Sequence, residues 1–414
     1  MVSVCFYFQL HQPYRLNKYQ VFDIGRAKNY FDDMKNIGVL QKVAGKCYLP
    51  SNKMMLELIR KTDEKFKVSY SMTGVLFEQL RDHAPEVIQS FQDLSKTGNV
   101  EFLSETYYHS LSFLFSKGEF KEQINMHKRL IKKEFKQIPT IFRNTELVYN
   151  NELANFIENM GYKGILGEGA DHILQWRSPN FLYSPKTTRK IKLLLKNYKL
   201  SDDVAFRFSS RDWNEWPLNA EKYAAWINAV NGNGNVVNLF LDYETLGEHQ
   251  WEDTGIFEFF KQLPFEILKN NDNNFMTPSE VVKNYDTVSE LDVHNIVSWA
   301  DVERDLSAWI GNNMQMLAIR KLYEVGQEII QTRNEEFANL WRRLQTSDHF
   351  YYMCTKWFND GDVHKYFNPY DTPHDAFIAY MNVLADLKIR IKNWRLENEK
   401  KNFERRSRKN LARL

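Results

Sequence analysis

The sequence predicts an α/β protein, a closed or nearly closed barrel of seven βα repeats followed by a C-terminal helical region. Up to about residue 245, short β-branched or aromatic runs alternate with longer segments of helical periodicity. Alternation on this scale is typical of a parallel sheet with helical crossovers. From about Phe257 onward, strand-like runs become rare, and Asp305–Leu344 and His374–Leu396 combine dense charge with helical spacing.

The individual elements follow from this pattern. Seven segments are predicted as strands: Val2–Phe8, Phe66–Met72, Val100–Leu103, Thr140–Arg143, Gly164–Leu166, Ile191–Leu195 and Val236–Leu241. Helices are predicted between them at Asn52–Thr62, Phe77–Lys96, Lys117–Lys136, Asn151–Met160 and Ala220–Val230. The sequence NGNGN at Asn231–Asn235 predicts a turn before the last strand. Seven such repeats favour a closed or nearly closed barrel over an open sheet.

The change from alternating strand and helix patterns to helical patterns predicts two domains. Residues 1–270 would form the catalytic barrel, and residues 271–414 would form a helical domain that packs on the barrel and contributes to the cleft. The Asn-rich segment Asn270–Phe275 marks the expected boundary.

Composition limits the classes of function. The formal charge of +2 over 414 residues gives no global field for nucleic acid or a membrane surface. The 10 tryptophans and 21 tyrosines suit either a core or stacking on sugar rings. Three widely spaced cysteines, Cys5, Cys47 and Cys354, form no CxxC motif and predict a cytoplasmic location. We expect the N-terminal apolar run to be a buried strand rather than a signal peptide, and no run reaches the length of a membrane span.

Carboxylates and histidines follow the ends of nearly every predicted strand, often beside aromatic residues. In a βα-barrel, these ends form the active-site face. Taken alone, His11 could be a hydrogen-bonded core histidine and Glu146 a helix-cap residue. Asp242 is harder to explain structurally, because a carboxylate at the end of a buried strand is costly without partners. The strand-end residues that we single out are His11, Gln12, Glu78, Glu105, His109, Arg143, Glu146, Glu168, Asp242, Glu244 and His249.

Two carboxylates that project into one cleft from different strands match the needs of glycoside hydrolysis. One attacks the anomeric carbon while the other protonates the leaving oxygen.

Five sequence motifs, in order along the chain, carry a family resemblance. They are HQP, GNVEFLSETYYHSL, FRNTELVYNNELA, FLDYETLGEHQW and LQTSDHFYYM. Together they resemble the five conserved regions of glycoside hydrolase family 57, and SWADVERDLSAWIGN is similar to a stretch in its α-amylase-type branch. The resemblance extends from His11 to about Phe377.

The resemblance implies an incomplete (β/α)7 barrel followed by a C-terminal helical region. It also implies retaining cleavage of α-glucosidic bonds, with Glu146 as nucleophile and Asp242 as acid/base. It implies that His11 and His109 contact the sugar at the cleavage point and that Asp348 binds its hydroxyls. No metal or cofactor is expected, and the expected partner is an α-glucan or maltooligosaccharide. The residues expected to bind substrate are His11, Gln12, Glu78, His109, Glu244, His249, Trp299, Asp301, Asp348 and His349.

Two positions depart from the family pattern. Gln9 stands where several relatives have a histidine, and the last motif reads SDHFYY where other branches have Asn before the Asp and Trp after it. Specificity at the outer subsites therefore stays open. Tryptophans that could stack on sugar there are Trp176, Trp213, Trp216, Trp251 and Trp299.

Several functions compete. The first is a retaining hydrolase of α-1,4-glucans, and the second is a 4-α-glucanotransferase on the same scaffold. A third is a metal-dependent polysaccharide deacetylase that would draw ligands from His11, His109, Asp242 and His249, although no HExxH or CxxC motif supports a metal site. A fourth is a glucan-binding protein without turnover. The sequence predicts no oligomeric state.

Overall fold

Two five-stranded sheets and the helices around them form the fold of this computed structural model, which describes residues 1–26, 28–356 and 367–411. The strands are β1 (Val2–Leu10), β2 (Val68–Met72), β3 (Val100–Phe102), β4 (Ile141–Phe142), β5 (Gly164–Glu168), β6 (Leu182–Pro185), β7 (Lys192–Lys196), β8 (Val236–Asp242), β9 (Asn273–Phe275) and β10 (Thr287–Leu291). The seven predicted strands are all present.

The first sheet has the order β3-β2-β1-β8, all parallel, and β9 pairs with Val2–Val4 at the beginning of β1. The second sheet has the order β10-β6-β7-β5-β4, with β6 antiparallel to β7. Backbone hydrogen bonds connect the two sheets at both sides. Ser104 N donates to Ile141 O over 3.0 Å, and Asn197 N donates to Asn238 O over 2.9 Å.

Helices connect and cover the strands. In the first part of the chain they span Asp33–Val43, Leu49–Lys61, Gly74–His83, Pro85–Ser95, Ser112–Phe115, Lys117–Phe135, Asn151–Asn159, Asp171–Leu174, Tyr198–Asp202, Ala220–Asn228, Ile256–Leu268 and Pro278–Asn284, with π-helical turns at Ala44–Tyr48 and Asp203–Arg207. The predicted helix Phe77–Lys96 is two helices, because Pro85 starts a new one.

After Leu291, helices connected by loops replace the strands in the described residues. Its helices span Ser307–Ile310, Asn313–Thr332, Glu335–Arg343, Asp348–Tyr351 and Pro373–Leu411. The strands β9 and β10, which the sequence did not indicate, belong to the two sheets. The two-domain division at residue 270 stays a prediction, and part of 271–414 lies outside the described residues.

Alternation along the strands directs side chains to two separate cores. In β1, Phe6 and Phe8 pack with the surrounding helices, while Cys5 and Tyr7 pack in the space between the two sheets. In β8, Phe240 shares that inner space. Because side chains alternate along a strand, Asp242 follows Phe240 on the inner side, and it lies opposite Gln9 of β1. The pleat therefore brings polar residues to the carboxyl end of the inner core.

Candidate active site

A cavity lies at the carboxyl ends of the strands and brings together most of the predicted site. Ten predicted residues line it: His11, Gln12, His109, Glu146, Asp242, Glu244, His249, Trp299, Asp301 and Asp348. Glu78 and His349 do not line it. Glu78 accepts hydrogen bonds from Tyr14, Tyr107 and Arg343. The buried ring of His349 packs on Tyr380 behind the cavity wall.

Glu146 is held on both carboxylate oxygens. It lies in the turn Thr145–Leu147 directly after β4, in the left-handed backbone region at φ 56°. Oε1 lies 2.9 Å from His109 Nε2, and Oε2 accepts a 2.8 Å hydrogen bond from Trp299 Nε1. A non-glycine residue in this region costs roughly 1–3 kcal/mol and is found mainly at functional sites. The Glu146 carboxylate is therefore positioned in the cavity by a strained backbone conformation.

His109 is a buried cation at neutral pH. Burial alone would lower its pKa, but the nearby carboxylates of Glu105 and Glu146 outweigh burial and raise the pKa to about 9. Its Nδ1 lies 3.6 Å from Glu105 Oε2. Burial would likewise raise the pKa of Glu105, yet His109, His127 and Arg143 hold that pKa below its ordinary value. The imidazolium thus links two carboxylates and donates to Glu146.

His11 stacks on His109 with ring centroids 4.0 Å apart. Unlike His109, His11 is neutral at neutral pH. Burial and the neighbouring His109 lower the pKa of His11 to about 4. A neutral ring carries one proton, and Asp348 at 2.9 Å from Nε2 requires a donor. The proton is therefore on Nε2, and Nδ1 accepts from the Thr73 hydroxyl at 2.9 Å.

Gln9 occupies the position where relatives have histidine, and it also lines the cavity. Its Nε2 donates to Glu105 Oε1 over 3.2 Å, and its Oε1 accepts from the hydroxyls of Tyr7 and Ser71. An amide supplies a donor and an acceptor at once, as this position requires. Gln9 therefore supports Glu105, which in turn holds His109.

Asp242 ends β8 and is less buried than Glu146. Two residues later, Glu244 is fully buried, and its Oε1 accepts a 2.5 Å hydrogen bond from the Tyr48 hydroxyl. Burial, reinforced by the charge of Asp242, raises the pKa of Glu244 to about 8. At neutral pH, the neighbouring carboxyls of Glu244 and Asp242 therefore hold a proton between them rather than two negative charges.

Trp299 is bound to Glu146 twice, through the indole and through its backbone N–H, which donates to the Glu146 carbonyl over 3.2 Å. Two cations lie over its ring: the Arg143 guanidinium at 4.9 Å and the Lys196 ammonium at 5.3 Å. An indole face attracts cations through its quadrupole. The ring is thus fixed between charges, and of the five candidate tryptophans only Trp299 lines the cavity.

Several lining residues were not predicted. Lys196 ends β7, so a charged residue after an apolar run, the same signal that marked Asp242, could have identified it. Asp202 and Phe206 lie in segments without clear periodicity, and no sequence signal indicates them. Arg304 lies in SWADVERDLSAWIGN, so the family resemblance includes its segment. Further lining residues without a prediction are Arg15, Tyr351, Tyr352 and Phe367.

Neither a metal-binding cluster nor a membrane-spanning helix occurs among the described residues. In the part of the chain that the structure describes, no group of three or more His, Cys, Asp or Glu residues could hold a metal ion. No helix among those residues is long and apolar enough to cross a membrane.

The α/β fold and its cavity of carboxylates, imidazoles and one indole are those of a glycoside hydrolase. The family model described as glycosyl hydrolase family 57 matches residues 5–294. A Methanocaldococcus jannaschii protein provisionally named as an alpha-amylase is 45% identical over 409 residues, which cover 96% of this chain and 86% of that protein. The chain therefore belongs to glycosyl hydrolase family 57, as the motifs predicted.

Solved structures share the fold. The 4-alpha-glucanotransferase of Thermococcus litoralis superposes with a TM-score of 0.69 at 15% identity over 93% of this chain, which spans 59% of that protein. The alpha-amylase AmyC of Thermotoga maritima superposes with a TM-score of 0.63 at 13% identity, covering 96% of this chain and 95% of that one. At these identities, the likeness concerns the fold alone.

Proposed function

We propose that this protein cleaves α-1,4-glucosidic bonds of glucans or maltooligosaccharides with retention of configuration. The observation that carries the proposal is the strained, doubly hydrogen-bonded carboxylate of Glu146 in the same cavity as Asp242. Membership of glycosyl hydrolase family 57 and the 45% identity to the M. jannaschii protein support the substrate class.

The proposed reaction is a double displacement. In the first step, a carboxylate oxygen of Glu146 attacks C1 of the glucosyl unit while the glycosidic C1–O bond breaks and Asp242 gives its proton to the leaving oxygen. A β-linked glucosyl ester on Glu146 results. In the second step, Asp242 takes a proton from water, the water oxygen attacks C1, and Glu146 is released with the product in the α configuration.

The surrounding groups support this assignment. His109 and Trp299 hold the Glu146 carboxylate with fixed donors, so little reorganisation is needed during attack. The neutral ring of His11 stacks on His109 and contacts Asp348, and His11 and Asp348 would bind hydroxyls of the glucosyl unit. Gln12, Glu244, His249 and Asp301 also line the cavity and are proposed to bind sugar there.

We further propose that the seven predicted strands form an incomplete barrel in the order β1-β2-β3-β4-β5-β7-β8. Parallel pairing among these seven strands within each sheet and the hydrogen bonds of Ser104 and Asn197 between the sheets support this arrangement. The carboxyl ends would then form one face, where barrel enzymes place their active sites.

The first experiment is a time course with maltoheptaose and no added metal, resolved by chromatography. Shorter maltooligosaccharides alone mean hydrolysis, and products longer than the substrate mean 4-α-glucan transfer. Unchanged maltoheptaose would contradict both readings. Acetylated sugars and metal analysis would then test the deacetylase reading, and calorimetry would test glucan binding without turnover.

A further inference from the structure

Two partly exposed aromatic side chains, Phe206 and Trp251, lie on segments that line the cavity and have no role in the chemistry proposed above. Phe206 lines the cavity with 44% of its surface exposed, and Trp251 is 53% exposed. We infer that these two rings form an outer subsite that binds glucose units of the glucan chain on the Asp242 side of the cleft. This inference rests on the proposed function and extends it to the binding of the chain.

The segment that carries Phe206 is fixed to the cavity wall. Phe206 lies in the π-helical turn Asp203–Arg207, directly after Asp202. Asp202 accepts from Lys196 over 2.8 Å and from Arg304 over 3.1 Å, and all three residues line the cavity. The Phe206 ring is therefore exposed on an anchored turn rather than on a loose loop.

The segment that carries Trp251 is joined to this turn. Gln250, immediately before Trp251, is buried, and its Nε2 donates to the Ala205 carbonyl over 2.9 Å. The loop also packs tightly on its other side, because a Cβ added at Gly247 would lie 2.1 Å from the Lys46 carbonyl oxygen. Both aromatic side chains therefore stand on adjacent, closely held segments.

The chemistry of the two rings fits a sugar chain. Exposed apolar surface is unfavourable in water. Burial of an aromatic side chain against a ligand contributes a favourable free energy of roughly 1.5–3 kcal/mol. Aromatic faces pack on the apolar faces of glucose, while polar groups beside them meet the hydroxyls. The Lys46 ammonium lies 5.6 Å from the centre of the Trp251 ring and supplies such donors.

The positions of Trp251 and Phe206 relative to Asp242 indicate on which side of the cleavage point the two rings lie. Asp242 is proposed to protonate the leaving oxygen, so the departing part of the glucan lies on its side of the cleavage point. Trp251 follows Asp242 in the same segment, and Phe206 is joined to that segment through Gln250. A glucan held there after the first step competes with water for the glucosyl ester, so this subsite would favour transfer with long acceptors.

Binding to a variant without turnover tests the inference. In the Glu146→Gln background, we expect Trp251→Ala or Phe206→Ala to weaken maltoheptaose binding by roughly threefold to tenfold, measured by calorimetry. Trp176→Ala is the matched control, because Trp176 is 84% exposed and does not line the cavity; its affinity should not change. Thermal midpoints of all variants should stay close to that of the Glu146→Gln parent.

A turnover experiment separates this subsite from the catalytic proposal. With native Glu146, Trp251→Ala should raise KM for maltoheptaose and lower the share of transfer products, yet leave hydrolysis of α-maltosyl fluoride unchanged, since fluoride carries no sugar on the leaving side. Binding within twofold of the parent for both aromatic variants would overturn the inference. So would loss of a dimer with unchanged glucan affinity, because the rings would then contact a second copy. Residual turnover in Glu146→Gln would instead contradict the proposed nucleophile.

Discussion

The two sides of the cleft are held in different ways. On the Glu146 side, formed by His109, Glu146 and Trp299, every group is at least partly buried and hydrogen-bonded to another member. On the Asp242 side, formed by Asp242, Glu244 and His249, the carboxylate at the strand end is less buried and its carboxyl neighbour has a raised pKa. The contrast fits the proposed roles, because a nucleophile needs fixed geometry, whereas a proton donor needs access to water and to the acceptor.

The largest expected effect separates the two carboxylates. Glu146→Ala and Asp242→Ala should each lower turnover of maltoheptaose by roughly 10⁴-fold or more, as removal of a reacting group does in hydrolytic enzymes. Their responses to azide should differ. With α-maltosyl fluoride, Glu146→Ala should give the β-azide by direct attack, whereas Asp242→Ala should give the α-azide from the glycosyl ester.

The anomeric proton coupling in the NMR spectrum distinguishes the two azides. Glu78→Ala is a control, since Glu78 lies outside the cavity lining and should not respond to azide. The same azide anomer from both carboxylate variants would contradict the division of roles.

The second largest effect concerns Trp299, whose indole N–H donates a hydrogen bond to the proposed nucleophile Glu146. Trp299→Phe keeps a ring between Arg143 and Lys196 but removes the Nε1–H donor to Glu146. A hydrogen bond to a charged group contributes about 1.5–3 kcal/mol, so kcat should fall roughly tenfold to a hundredfold while KM changes little. Steady-state kinetics on maltoheptaose measures this split. A raised KM with unchanged kcat would mean that Trp299 binds sugar rather than positioning Glu146.

The third effect is a loss of activity in alkali. His109 has a pKa of about 9 and Glu244 a pKa of about 8, so both are protonated at neutral pH. As pH rises, Glu244 first becomes an anion near Asp242, and His109 then loses the charge that faces Glu146. We expect kcat/KM to decline from pH 8 through 9.

The folded-state pKa of His109 is raised above its ordinary 6.5, so the stability it contributes is complete below pH 6.5 and is lost through pH 9. His109→Gln should remove the upper part of the decline in kcat/KM. A profile that is flat to pH 10 in the native protein would refute the cationic state of His109.

The smallest expected effect is the change in kcat/KM when Glu244, the neighbour of Asp242, is substituted. Since Glu244 is protonated below about pH 8, Glu244→Gln reproduces its neutral form. Its kcat/KM at pH 6 should stay within about threefold of the native value, because only one hydrogen-bonding atom changes. Above pH 8, the variant should be more active than the native protein. A large loss at pH 6 would instead show that Glu244 acts as an anion.

The sequence predicted the parts of the site that depend on strand periodicity. Asp242 follows the alternation of β8, and Glu146 and His109 follow strands that were correctly placed. Glu78 was expected in the cleft because it follows β2, but a helix begins at Gly74, and Glu78 lies on it beside Arg343, 265 residues away in sequence. His349 adjoins Asp348 on a helical turn, where neighbouring residues do not face the same way.

Other parts depend on long-range contacts that no local pattern encodes. β6 and β9 are short, and β9 lies in an Asn-rich segment that resembled a linker. The cations over Trp299 come from β7 and from the residue after β4, and Arg304 reaches Asp202 across 102 residues. The carboxylates that keep His109 protonated and the burial that keeps Glu244 protonated also come from tertiary packing.

Trapping of the glycosyl-enzyme tests the central claim most directly. The protein would be incubated with 5-fluoro-α-maltosyl fluoride, quenched in acid and digested, and the modified peptide sequenced by mass spectrometry. The account predicts one added fluoromaltosyl group, located on Glu146 and absent from Glu146→Gln. A label on Asp242 or another carboxylate would contradict the account, as would release of β-configured product without any label.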